Sequence, residues 1–126
     1  MKLFLVVSWI QGMYFLLTGI WPWLHIKSFM AVTGPKTDIW LVQTVGMLAA
    51  VIGITLLIQV VTKKIPTTIG WLGLLSALGF GFIDIWFAVV KDIISDIYLV
   101  DFGVEVGFGL VWGYFLVSGS HRKVIK

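Results

Sequence analysis

No cysteine occurs in these 126 residues. That excludes a disulfide framework, a thiol redox centre and a thiolate metal site. Histidine is nearly absent too, with two copies, His25 and His121. They fall on opposite sides of the membrane topology derived below, so they cannot share a metal or a haem, and a zinc site needs several ligands together. Two distant histidines and no cysteine cannot assemble an activated nucleophile either. Catalytic residues, a metal site and a bound cofactor are therefore not expected. Charge is sparse, at 12% of residues against about 25% in an ordinary soluble domain. There is no P-loop and no glycine-rich turn after a strand, and no linker or low-complexity segment.

What is present is apolar. Hydrophobic residues make up 60% of the chain and the mean hydropathy is +1.05. A soluble domain of this size is mostly surface and could not hide so many apolar side chains, so the bilayer is the solvent that fits. The expected architecture is all-α: one integral membrane domain, residues 1–126, folded as a four-helix transmembrane bundle. Spans are expected at about 3–23, 39–61, 67–90 and 97–117, each long enough to cross at 1.5 Å rise per residue. The basic start and apolar first run resemble a signal peptide, but the small-residue cleavage pattern is poor and the run reads as a span. Pro22 should end it, with Trp21 and Trp23 at headgroup level. The long first loop, from His25 to Asp38, carries enough apolar residues to lie partly in the interface. Gly34-Pro35 reads as a turn, and Thr37 or Asp38 as a cap for the next helix. Pro66 opens the third span.

Basic residues set the orientation. One side carries Lys2, Lys63, Lys64, Arg122, Lys123 and Lys126, and the other carries Lys27, Lys36 and Lys91. The positive-inside rule then puts both termini in the cytoplasm of a multi-pass protein of the cell (inner) membrane. The net charge of +3, gathered at segment ends, fits anionic lipid headgroups rather than nucleic acid.

Three acids break the apolar pattern of the last two spans: Asp84, Asp101 and Glu105. On insertion scales a carboxylate at a helix centre costs about 2.5–3.5 kcal/mol, so these acids should face the bundle interior. Asp84 continues the stripe Gly70, Gly73, Ala77, Gly81 of the third span. Asp101, Glu105, Gly109 and Gly113 follow one another at intervals of four in the last span. Small residues let membrane helices approach closely, so both stripes are expected to look inward. The second span offers Gln43, Gly46, Ala50 and Gly53, and the first offers Ser8, Gln11, Tyr14 or Phe15, and Thr18. The candidate ligand- and proton-binding residues are Asp84, Glu105, Asp101, Gln43, Tyr14 and Thr18, with Lys36, Asp38 and His25 at the cavity mouth. Asp84 and Glu105 lie about ten ångströms below the outer interface by helix rise.

These acids admit two readings. They can hold an exchangeable proton and bind a small solute or ion, the basis of binding or transport through an outer-half polar cavity. Alternatively they form a polar lock that only ties helices together in a structural or accessory subunit. Trp40 and Trp86 could wall a cavity for a flat ligand, although tryptophans at span ends usually form an interfacial belt. Gly103 and Gly107 make a second small stripe on the far side of the last span, suited to another helix or to a homo-oligomer.

The stretch from Gln11 to Gly19 (QGMYFLLTG), the loop from Val32 to Trp40 (VTGPKTDIW) and the four-span layout resemble the DoxX-like group of small bacterial membrane proteins. That resemblance implies a four-helix fold in the bacterial inner membrane. Some members of the group are linked to quinone-coupled sulfur oxidation, so it also implies a quinone-associated redox accessory role as a further alternative. It assigns no functional residue here.

Overall fold

The computed structural model describes residues 2–91 and 94–118. His121 and the basic tail residues Arg122, Lys123 and Lys126 lie outside the described residues, as does Asp92. Five helices follow in order: α1 (Lys2–Leu24), α2 (Ile26–Thr33), α3 (Ile39–Thr62), α4 (Thr67–Ile85) and α5 (Tyr98–Ser118). The end of α4 continues as a π-helical turn, Trp86–Val90. No strand occurs among the described residues. Lys2–Leu24, Ile39–Thr62, Thr67–Val90 and Tyr98–Ser118 are long and apolar enough to cross a membrane, and their ends fall within a residue of those expected from hydropathy. The chain is a multi-pass membrane protein in its architecture. Large apolar side chains such as Val61, Leu110 and Leu75 point outward, as a lipid solvent allows.

The four long helices form two close pairs, α1 with α3 and α4 with α5. Glycine sets the spacing of the first pair. A Cβ placed on Gly46 would run into the carbonyl oxygen of Gly19, and one on Gly12 would come within 2.9 Å of the Gly53 carbonyl oxygen. The two backbones are therefore in direct contact at two levels, close packing of the kind that drives helix association where no hydrophobic force acts between helices. Ser8 Oγ adds a hydrogen bond to the Leu56 carbonyl oxygen at 2.7 Å.

The second pair works differently. The small stripe of α4 is buried as expected, at Gly70, Gly73, Ala77, Gly81 and Asp84. Its partner face on α5 is not the small stripe but Glu105, Phe108, Trp112 and Phe115. A Cβ on Gly73 would strike the Trp112 indole, and one on Gly70 would lie 2.6 Å from the Phe115 ring. Gly113 has open space around it, and Gly109 has only Leu74 at 4.0 Å. The expectation that Gly109 and Gly113 face inward is thus corrected. In this pair, small residues on one helix receive large residues on the other.

Aromatic rings from three helices close the centre. Phe4 and Phe15 of α1 pack on Phe108, Trp112 and Phe115 of α5, and Phe15 also meets Phe80 of α4 edge to face at 5.2 Å. Gln11, fully buried, joins the two pairs: its Nε2 donates to the Gly73 carbonyl oxygen at 3.2 Å and its Oε1 accepts from Trp112 Nε1. Trp112 is accordingly a core residue and not part of an interfacial belt.

Two local expectations also change. Pro22 does not end α1, which runs on to Leu24. A Cβ on Gly46 would sit 3.1 Å from the Pro22 ring, so the proline fills a tertiary contact, and its carbonyl oxygen accepts from Gln43 Nε2. Membrane helices tolerate proline when neighbours compensate in this way. The first loop contains a helix, α2, whose apolar Phe29 packs edge to face on Trp21 at 5.4 Å. His25 caps it, with Nδ1 accepting from the Ser28 amide. Gly34 ends it at φ +102°, a conformation that favours glycine. Asp38 precedes α3 without a side-chain capping bond.

Replacing Gly46 by leucine should separate α1 from α3 and lower stability by about 1–3 kcal/mol or more, the usual range for overpacking. Gly103→Ala meets open space and should be neutral or mildly stabilising. Thermal unfolding of both variants in detergent micelles measures the contrast.

Candidate ligand and proton site

Three helices carry polar groups toward the end of the bundle where α4 closes and α5 opens. Asp84 sits on the buried face of α4, five residues before the chain turns into the π-helical segment's second half, and is 4% exposed. Glu105 sits on the buried face of α5 and is 2% exposed. Asp101 lies one turn nearer the N-terminal end of α5 and is half-buried. The Asp84, Asp101 and Glu105 carboxyls lie near enough to one another to interact electrostatically. From α1, half-buried Tyr14 donates its hydroxyl proton to Asp101 Oδ1. Tyr14, Asp84, Asp101 and Glu105 therefore form one cluster.

The cluster is short of partners. Asp84 Oδ2 and Glu105 Oε1 are buried and have no hydrogen-bond partner. Most buried polar atoms in folded proteins are bonded, and a buried charge without a partner is costly. Lys2, at the very start of α1, is the one basic residue of the four spans, so the three carboxyl groups have no basic counter-charge at their own level. Among the described residues, no group of three or more His, Cys, Asp or Glu side chains is arranged to hold a metal ion.

The remaining candidates lie elsewhere. Thr18 Oγ1 bonds back to the Tyr14 carbonyl oxygen of its own helix. Gln43 turns to the end of α1: its Nε2 donates to the Pro22 carbonyl oxygen at 3.3 Å, and its own carbonyl oxygen accepts from Trp23 Nε1 at 2.8 Å. The convergence thus involves α1, α4 and α5, with no polar group from α3. His25 is occupied as the α2 cap and Asp38 is exposed. Lys36 Nζ donates to the Thr33 and Gly34 carbonyl oxygens and stands 5.3 Å from the centre of the Tyr98 ring, one turn before Asp101. Trp40 is 67% exposed, whereas Trp86 stacks on Phe82 beneath Lys91. These two tryptophans do not wall a common cavity.

Gln11 was assigned to the interior by periodicity but not to the candidate site, although it links three helices one turn below Tyr14. Its signal lay in the 3-4-3 spacing of Glu105, Phe108, Trp112 and Phe115, which marks Trp112 as an inward residue.

A groove also runs between α4 and α5, with a volume of about 390 Å³. Glu105 is its one ionisable lining residue.

A double-mutant cycle on Gln11→Leu and Trp112→Phe should give a coupling of about 0.6 kcal/mol, and at most about 1.7, the range for hydrogen bonds between membrane helices. Chemical unfolding in mixed micelles reads it. Tyr14→Phe should destabilise by a similar amount, and in an Asp101→Leu background, which removes the acceptor, it should have little further effect. Neither a family model, nor a curated protein, nor a solved structure matches this chain.

Proposed function

We propose that this protein binds a small solute or ion at the Tyr14–Asp84–Asp101–Glu105 cluster in exchange for a proton, as a multi-pass protein of the bacterial inner membrane with both termini cytoplasmic. The observation that carries the reading is the pair of buried, unpartnered carboxyl oxygens on Asp84 and Glu105 in spans whose one basic residue, Lys2, stands at the far end of α1. An intramembrane acid marks a functional site by default, and three without a counter-charge must take up either protons or a cationic guest. The π-helical turn that follows Asp84 adds support, since such turns are frequent at functional sites. The DoxX-like resemblance of the first span and first loop supports the membrane assignment. The side with Lys2, Lys63 and Lys64 supports the orientation.

The lock reading has its own observation, the Tyr14–Asp101 bond between α1 and α5. The two readings part on exchange. Dicyclohexylcarbodiimide is an apolar reagent that modifies protonated carboxyl groups. In the exchange reading it labels Asp84 or Glu105 in vesicles, and labelling falls as pH rises because the deprotonated form does not react. Asp84→Asn and Glu105→Gln each remove one labelled position, and both abolish proton-dependent flux in liposomes. Absence of labelling at every pH, with only stability altered in the variants, would leave the lock. Mass spectrometry of the labelled chain measures this.

A further inference from the structure

The groove between α4 and α5 has an unusual composition for a lipid-facing cleft. Its floor is made by the small residues Ala77, Gly81 and Gly109, and apolar side chains line the rest, including the rings of Phe82 and Phe102. Phe82 is 58% exposed, so the cleft opens on the outer surface of the bundle, where the acyl chains lie. Its volume of about 390 Å³ is within the range of about 300–1,000 Å³ typical of small-molecule sites. Into this apolar wall the chain sets Glu105, which is 98% buried by its residual 2% exposure and has an unpartnered Oε1.

A lipid tail would fill the cleft without needing an acid. An inorganic cation would find one carboxyl and no further oxygen ligands in it. The guest that satisfies both features carries a single positive charge on an apolar body. It would reach the cleft from the bilayer, bury its body against the α4 and α5 side chains, and place its charge at Glu105. Aromatic faces add cation–π attraction. The geometry points to the α4–α5 groove as a lateral binding site for lipophilic monocations of the aryl- or alkyl-ammonium and phosphonium class, anchored by Glu105.

This rests on the proton-exchange reading of the same cluster and names its guest. The groups facing Glu105 are Asp101 on its own helix, Asp84 on α4 and Tyr14 on α1; α3 presents no titratable group. All are acids or a phenol, so none repels a cation. Proton and cation compete for one carboxyl, and by linkage the cation binds more tightly as pH rises, by about tenfold per pH unit where exchange is one for one.

Tetraphenylphosphonium is a suitable probe, because it is apolar and permanently charged. Equilibrium binding to the purified full chain in nanodiscs should be saturable and should tighten with pH. Glu105→Gln should weaken it at least tenfold, and Glu105→Asp should restore part of the affinity. Gly109→Leu, which fills the floor where Gly109 has only Leu74 at 4.0 Å, should weaken it comparably while elution and helicity stay unchanged. Equal binding of the neutral triphenylphosphine oxide, or undiminished binding in Glu105→Gln, would overturn the proposal. So would a disulfide between two Leu110→Cys copies that closes the groove, which would assign it to a second chain; the cysteine-free sequence makes that test clean. If carbodiimide labelling varies with pH but the phosphonium neither binds nor protects, this inference fails and the exchange reading stands. If labelling is absent as well, both fail.

Discussion

The close approach of helix backbones governs everything else in this bundle. Lipid offers a helix surface as apolar as another helix, so association must come from packing and hydrogen bonds. The chain meets that condition in two ways. Along α1 and α3 it sets glycine against glycine, so that carbonyl oxygens stand where side chains would be. Along α4 and α5 it sets glycine against indole and phenyl rings. The first arrangement gives contact at two levels without side chains. The second buries three large rings of α5, and in doing so fixes the rotation of that helix. Glu105 is carried inward by the rotation that buries Phe108 and Trp112, and Gly109 is carried into the lining of the α4–α5 groove.

This explains what could be read from the chain and what could not. Span lengths follow from hydropathy, and their limits fall close to Lys2, Thr62, Thr67 and Ser118. The inward face of α4 follows from its glycine spacing, because no large residue competes with it. The face of α5 does not follow, because two periodic patterns run along the same helix. Gly109 and Gly113 continue the acid stripe at intervals of four, while Phe108, Trp112 and Phe115 offer a larger apolar surface three residues out of step. Only the partner decides between them, and the small face of α4 accepts the large one. Pro22 misleads for a related reason: a local rule ends the helix, and the contact with Gly46 overrides it. The helix Ile26–Thr33 is not legible in the first loop, because eight residues cover little more than two turns and give periodicity few repeats.

The candidate site was legible to the same degree. Acids in a lipid-length run draw notice on cost alone, and Asp84, Asp101, Glu105 and Tyr14 do meet. Gln43 and Thr18 belong to the same inward stripes but spend their hydrogen bonds on backbone carbonyls, because those acceptors lie nearer than any acid. The same inward position therefore serves different ends according to the nearest unsatisfied group. At the centre the nearest groups are Gly73 and Trp112, and Gln11 bridges them. Near the outer end of α3 the available acceptor is the Pro22 carbonyl, which Gln43 takes.

The π-helical turn after Asp84 has a further consequence for how this helix could have arisen. A π turn holds one residue more than the α-helical ladder needs, and here the Lys91 amide reaches back to the Trp86 carbonyl oxygen at 2.9 Å. The surplus residue is absorbed beyond Trp86, so the core stripe from Gly70 to Asp84 keeps its phase, while Lys91 is turned relative to it. A one-residue insertion at this level leaves the interior intact and re-aims only the outermost turn. The rim of the bundle can thus change its aromatic and basic display without disturbing the packed register beneath it.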